Sequence, residues 1–170
     1  MASDKLTGSL LRTLAASKPA GRMLELGTGS GLATSWLLDG MDERSKLVSV
    51  DNDGVLLGIA RKHLGYDTRL DLVESDAGQW LTEHEGERFD LIFADTWHGK
   101  YLMLNEAIAM LKPGGFYIID DMLPQSNWPD GHAEKAERLA EILMERKDLQ
   151  VTPLAWSTGL YIGVKRGAFH

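Results

Sequence analysis

The sequence predicts an α/β fold: a three-layer α/β/α sandwich on a mostly parallel seven-stranded sheet with a C-terminal antiparallel hairpin. Three observations predict it. Short apolar runs alternate with amphipathic stretches along most of the chain, the pattern of successive βα units. The first run, Met23-Leu24-Glu25-Leu26, enters a turn of Gly27-Thr28-Gly29-Ser30-Gly31, where glycine permits positive φ and a close backbone approach. The last two runs, Leu149–Leu154 and Gly159–Lys165, are separated by a short turn at Trp156-Ser157-Thr158, which has no room for a helical crossover and implies antiparallel pairing.

The elements follow in order. Residues 4–17 carry Leu6, Leu10, Leu11 and Leu14 at helical spacing, with Ser3 as N-cap. Lys18-Pro19-Ala20-Gly21 ends that helix and leads to a first strand at 22–26. A helix through Leu32, Trp36, Leu37 and Leu38 ends near Asp39-Gly40, and Lys46–Val50 is the second strand. Asn52-Asp53-Gly54 starts a helix through Leu64, with Gly65 as its C′ residue. Arg69–Glu74 alternates apolar and polar residues as a third strand, followed by a short helix at 78–84. Phe89–Ala94 is apolar almost throughout, as a central parallel strand should be. Residues 99–111 read as one helix, stopped by Pro113-Gly114-Gly115, and Phe116–Asp120 as the fifth strand. A polar loop at 122–132 and a charged helix at 132–147 precede the hairpin.

Composition narrows the functional classes. A chain of 170 residues is expected to be one domain, 1–170. The formal charge of −7, with Lys and Arg scattered, argues against nucleic acid as a partner. No apolar run is long enough to cross a bilayer, and Met1-Ala2-Ser3-Asp4-Lys5 lacks the basic-then-apolar pattern of a signal peptide. There is no cysteine, so thiolate chemistry and disulfides are excluded. A cytoplasmic protein is the expectation.

A glycine turn opening a helix presents free N–H groups to a ligand. Asp51 ends the second strand twenty residues after Gly31, the spacing of an acid that binds ribose hydroxyls. Together they predict an adenosine-containing cofactor; the alternative role for Asp51 or Asp53 is to cap the following helix. The dinucleotide fingerprint G-x-G-x-x-G fails, because Leu32 stands at its third glycine.

The pattern that is present, Glu25-x-Gly27-x-Gly29-x-Gly31, resembles the first motif of class I S-adenosylmethionine-dependent methyltransferases, whose fold is Rossmann-like. The resemblance implies that Glu25 lies near the amino-acid end of the cofactor, with Gly27, Thr28, Gly29 and Gly31 against it. It implies ribose at Asp51 and Asn52, and adenine near Asp76 and the Ala77 amide; Asp76 can equally cap the helix after it. A second stretch, Asp95-Thr96-Trp97-His98-Gly99-Lys100-Tyr101, with Ile118-Ile119-Asp120-Asp121 at the end of strand five, resembles the metal-dependent O-methyltransferases, and specifically catechol O-methyltransferase. That likeness covers about residues 22–122. It implies a divalent cation, Mg²⁺ by preference, held by Asp95, Asp120 and Asp121, with Asp95 and Trp97 also beside the cofactor.

The chemistry fits such a cation. Lowering the pKa of a phenol from about 10 to about 7 is worth roughly 4 kcal/mol, and a hard cation held by carboxylates can supply this. Two departures from the family stand out. His98 occupies the position of its catalytic Lys and is the expected base, with Lys100 as the fallback. Asp121 replaces an Asn, and neighbouring strand residues face opposite ways, so Asp120 and Asp121 can share an ion only if the strand breaks there. With one helix before the first strand, the roof over the acceptor is expected from the loop 122–132, bearing Met122, Gln125, Trp128 and His132, or from a second subunit of a homodimer. Trp128 would stack on an aromatic acceptor or on its own helix, and Trp156 would pack on the hairpin. His63 and His84 read as surface helix residues, and His170 as terminal. The function expected is O-methylation of a small phenolic or catechol-like acceptor. The alternatives are a metal-independent methyltransferase, or a non-catalytic module that binds the same cofactor.

Overall fold

The computed structural model describes residues 5–167; the N-cap expected at Ser3 and the terminal His170 lie outside them. Thirteen elements follow one another as α1 (Lys5–Ala16), β1 (Arg22–Leu26), α2 (Leu32–Gly40), β2 (Lys46–Asp51), α3 (Gly54–Leu64), β3 (Leu70–Glu74), α4 (Ala77–Glu83), β4 (Phe89–Ala94), α5 (Leu104–Ala109), β5 (Leu111–Ile119), α6 (His132–Glu145), β6 (Leu149–Leu154) and β7 (Leu160–Lys165). The strands form one sheet in the order β3-β2-β1-β4-β5-β7-β6. All pairs are parallel except those of β7, which runs against both β5 and β6. The chain reverses its direction of growth between β1 and β4, which is where ligands bind in open α/β sheets.

The period-two alternation of each strand sorts the core onto two faces. Leu24, Leu26, Val50, Ile92, Ala94, Tyr117 and Ile119 pack with Trp80 and Leu81 of α4, Ile108 of α5, and Leu139 and Leu143 of α6. Met23, Leu47, Leu91, Phe93 and Ile118 pack with Leu11 and Ala15 of α1 and Leu37 and Leu38 of α2. Each fully buried Leu, Ile or Phe contributes roughly 1.5–3 kcal/mol of transfer free energy. The helices α1 and α2 touch closely because Gly8 leaves room for the Trp36 ring, which a Cβ there would meet at 2.3 Å.

Two expected elements differ. The helix expected at 99–111 is confined to Leu104–Ala109. Ahead of it, the Trp97 carbonyl accepts the amides of Lys100, Tyr101 and Leu102 in a tight turn, and Met103 then takes a left-handed φ of 54°. Leu111, expected on the helix, already pairs with Phe89, and the register jumps across Pro113-Gly114-Gly115 to pair Leu91 with Phe116. The glycine pair therefore kinks a strand; the helix before it has already ended at Ala109. Gly65 ends α3 at φ −63°, so it uses none of glycine's left-handed freedom.

Candidate active site

The glycine turn joins β1 to α2, and each glycine has its own reason. Gly27 has φ 102°, and a Cβ there would lie 2.9 Å from the main-chain oxygen of Asp95 at the end of β4. Gly31 has φ 91° and lets α2 rest on Ala60 and Leu64 of α3. Gly29 has φ 53° and a Cβ on it would meet nothing within 4 Å: it faces open space. That space is a cavity of about 390 Å³ lined by the turn, Leu32, Ala33, Asp51, Leu56, Asp95 and Thr96. A second cavity of about 190 Å³ is lined by Val50, Asn52, Asp76, Ala77, Trp97 and His98. Gly27, Asp51 and Thr96 border both, so the two form one trough across the ends of β1, β2 and β4.

Asp51 stands in the middle of this trough. Its carboxylate accepts the Gly29 amide at 2.7 Å and the Asp53 amide at 2.9 Å. The helix-capping role belongs to Asp53, which accepts the amides of Val55 and Leu56. Asp76 caps α4 through the Gln79 amide at 3.0 Å and also lines the smaller cavity. Glu25 is placed differently from the rest. It belongs to the face that carries α1 and α2, is fully buried, and accepts from Thr34 on α2 and Ser49 on β2. Its other carboxyl oxygen has no hydrogen-bond partner, and burial pushes its pKa up to about 7. It does not line either cavity; it braces the turn from beneath.

At the other end of the trough, β4 and β5 finish side by side, with Ala94 paired to Ile119. Asp95 and Asp120 follow directly, and Asp121 takes a left-handed φ of 57°, so the strand does break as a shared ion would require. Even so, the metal site expected from Asp95, Asp120 and Asp121 is not formed. Among the described residues, no three His, Cys, Asp or Glu side chains are arranged to hold a metal ion. Asp120 is 2% exposed, and one of its oxygens is engaged by the Thr158 hydroxyl and the Asp121 amide. The group beside these acids is Lys100, 5% exposed, whose ammonium donates to the main-chain oxygen of Asp120 at 2.6 Å. Burial, and then the neighbouring charge of Asp120, raise Asp95 well above the carboxylate range, while Lys100 draws it down. Burial lowers Lys100, and the three aspartates raise it.

The two expected bases part company. His98 packs on Gly78 at the first turn of α4, with Nδ1 3.9 Å from Asp76, at the end of the trough that Asp76 and Ala77 line. Lys100 is the nitrogen among the acids. Its position is fixed by Gly99, at φ 85°, where a Cβ would meet Leu26 and the Tyr117 hydroxyl; Tyr117 donates to the Gly99 carbonyl.

Over this end stands an aromatic group. Trp97, 45% exposed, meets Tyr101 and His132 edge-on at 5.3 and 5.8 Å. Tyr101 and His132 lie 5.4 Å apart, and Trp128 lies 4.4 Å from His132. Trp128 thus packs on its own helix start. Trp156 is 44% exposed. The His132 pKa is lowered by burial and then by Lys100 and Lys135. Four contributors were not singled out from the sequence: Thr96, Tyr117, Thr158 and Ser49. Thr96 adjoins the Asp95 motif and could have been found there. Tyr117 and Ser49 look like ordinary strand residues, and Thr158 arrives from the far hairpin.

Comparison with known proteins bears on the family and the fold. Residues 24–122 match the profile of a family described as a methyltransferase domain. A catechol O-methyltransferase of Mycobacterium tuberculosis is 27% identical over 157 residues, covering 86% of this chain and 70% of that protein. The chain spans 52 to 76% of the length of other curated relatives it matches. Among solved structures, an O-methyltransferase from Bacillus cereus in complex with SAH superposes with a TM-score of 0.84 at 21% identity, covering 97% of this chain and 83% of that one. An O-methyltransferase from Streptomyces achromogenes involved in tomaymycin synthesis, in complex with SAM, gives 0.81 at 21%, covering 98% and 82%. At these identities the two structures speak for the fold.

Proposed function

Because this chain belongs to the methyltransferase-domain family, we propose that it moves the methyl group of S-adenosylmethionine onto an oxygen of a small aromatic acceptor. The observation that carries the reading is the continuous trough bordered by Gly27, Asp51 and Thr96, with the open face of Gly29 at one end. Its dimensions and donors fit the cofactor. Asp51 keeps lone pairs for ribose hydroxyls beside the two amides it accepts, with Asn52 adjacent. Asp76, the Ala77 amide, Trp97 and His98 would flank the adenine. Gly27 to Gly31 and Asp95 would border the amino-acid end, with Thr28 in the turn. When bound, the cofactor supplies a sulfonium methyl for in-line displacement.

The chain's own residues do the rest. The rings of Trp97, Tyr101 and His132 form a wall on which a flat acceptor can lie. His132, held toward its neutral form, can accept a proton in that wall. The donor set does not fit a divalent cation: one carboxyl oxygen of Asp120 is engaged by Thr158 and the Asp121 amide, and the Lys100 ammonium sits on the Asp120 main-chain oxygen. The name of the mycobacterial relative supports a catechol-like acceptor.

Calorimetry with S-adenosylmethionine and with NAD, followed by transfer of a labelled methyl to a panel of phenols, tests the reading. Binding of the first compound and label on an acceptor oxygen are expected. No binding at millimolar concentration overturns it.

A further inference from the structure

The structure assigns to Lys100 the role of resident cation: its ammonium is docked on the Asp120 main-chain oxygen, at the corner of Asp95, Asp120 and Asp121 where the resembled metal-dependent family holds a divalent ion, so methyl transfer in this chain needs no added metal. The inference rests on the reading of the trough as a methyl-transfer site.

Four observations carry it. Lys100 is 5% exposed, although a lysine on a loop ordinarily keeps its ammonium in water. Its ammonium is docked, 2.6 Å from the main-chain oxygen of Asp120, at the junction of the two strand ends that bear Asp95 and Asp120. The turn that delivers it is fixed: three amides converge on the Trp97 carbonyl, and the Tyr117 hydroxyl holds Gly99 at a φ of 85° that a side chain would resist. One carboxyl oxygen of Asp120, which a metal would draw on, is instead held by the Thr158 hydroxyl and the Asp121 amide.

Asp120 is buried and Asp95 partly so, and carboxylates drawn out of water demand a counter-charge. A lysine bound covalently to the chain supplies positive charge there permanently, docked on the Asp120 main-chain oxygen, whereas a dissociable ion must enter beside that fixed charge. An ion of charge +2 brought beside a fixed +1 is repelled at short range. The consequence for specificity is direct. A metal with open positions gathers two adjacent oxygens of its acceptor; an ammonium that is already docked offers no such chelate. Vicinal hydroxyls thus bring no advantage, and an acceptor with a single hydroxyl serves as well.

Manganese titration of the full chain, followed by electron paramagnetic resonance, tests this. Calorimetry with S-adenosylhomocysteine on the same samples reports separately on the methyl-transfer reading. No stoichiometric Mn²⁺ uptake is expected in the wild type. Lys100→Met, which keeps the stem and removes the charge, is expected to bind Mn²⁺ at least about tenfold more tightly, and Lys100→Arg to behave as the wild type does. One Mn²⁺ bound per wild-type chain and released by Asp95→Asn overturns the assignment. So does a folded Lys100→Met that binds no better than the wild type. Should Lys100→Met fail to fold by circular dichroism, Lys100→Gln takes its place, and the wild-type titration decides alone if neither folds.

Discussion

Along one rim of the sheet, two regions are built by opposite means. Over β1 and β2 the trough is made of backbone: three glycines at positive φ and a single carboxylate, Asp51, that accepts the Gly29 and Asp53 amides. Over β4 and β5 it is made of buried charge: Asp95 and Asp120 with Lys100. The first region is shaped by what its residues lack, and the second by charges that must compensate one another. Changes at the first should therefore act through shape, and changes at the second through charge.

The largest effect expected is at Gly27. Alanine there meets the Asp95 carbonyl at 2.9 Å and must hold φ 102°, costing about 3 kcal/mol or more, and affinity for S-adenosylmethionine should fall by at least about a hundredfold. Gly29→Ala, which meets nothing, should lose far less. Equal losses in calorimetry would break the distinction between the two glycines.

Glu25 comes next, because it is a charge group placed beneath the backbone region. Its pKa is raised in the fold, to about 7, so the native state holds a proton that the unfolded chain releases at lower pH. Stability from this group is full below about pH 4.5 and is lost as pH rises through about 7, by roughly 3 kcal/mol at 1.36 per unit. Glu25→Gln should remove that slope, so urea denaturation at pH 5 and pH 8 should find the variant gaining on the wild type at the higher pH. A parallel pair of curves would count against the buried carboxyl. Asp51→Asn follows, with cofactor affinity down about tenfold to thirtyfold, roughly 1.4–2 kcal/mol, as one charge-assisted acceptor becomes neutral. Smallest is Thr158→Val. Removing the hydroxyl that Asp120 accepts should cost about 1 kcal/mol of stability and leave cofactor affinity unchanged; a loss of cofactor affinity would join the two regions.

The same contrast explains what could be read in advance. The seven-stranded sheet with its reversed strand and most element boundaries were legible, because hydrophobic period and glycine position are local signals. So was the backbone half of the trough, whose glycines and Asp51 lie within one βα unit and the next strand. The stretch 99–111 was not. Leu102, Leu104 and Ile108 keep helical spacing, but Met103 adopts a left-handed φ and the Trp97 carbonyl gathers the preceding amides, a tertiary arrangement invisible to periodicity. The roles of His98 and Lys100 also depended on it. A two-residue difference in a tight turn decides which nitrogen meets the acids and which meets Gly78. Glu25 was legible as an acid in a motif, yet its direction followed from strand parity: it shares a face with Met23, beneath the turn and away from the trough.

The hairpin carries one consequence for synthesis. β7 lies against β5, and the amides of Met122 and Leu123 donate to the carbonyls of Gly159 and Thr158, while the family match ends at residue 122. On the ribosome, where chains emerge from the amino end, the whole matched region is exposed before Thr158 has been made. Until then Asp120 lacks its clasp, so the cofactor half of the trough is synthesised before the acid corner is secured by the hairpin turn that bears Thr158.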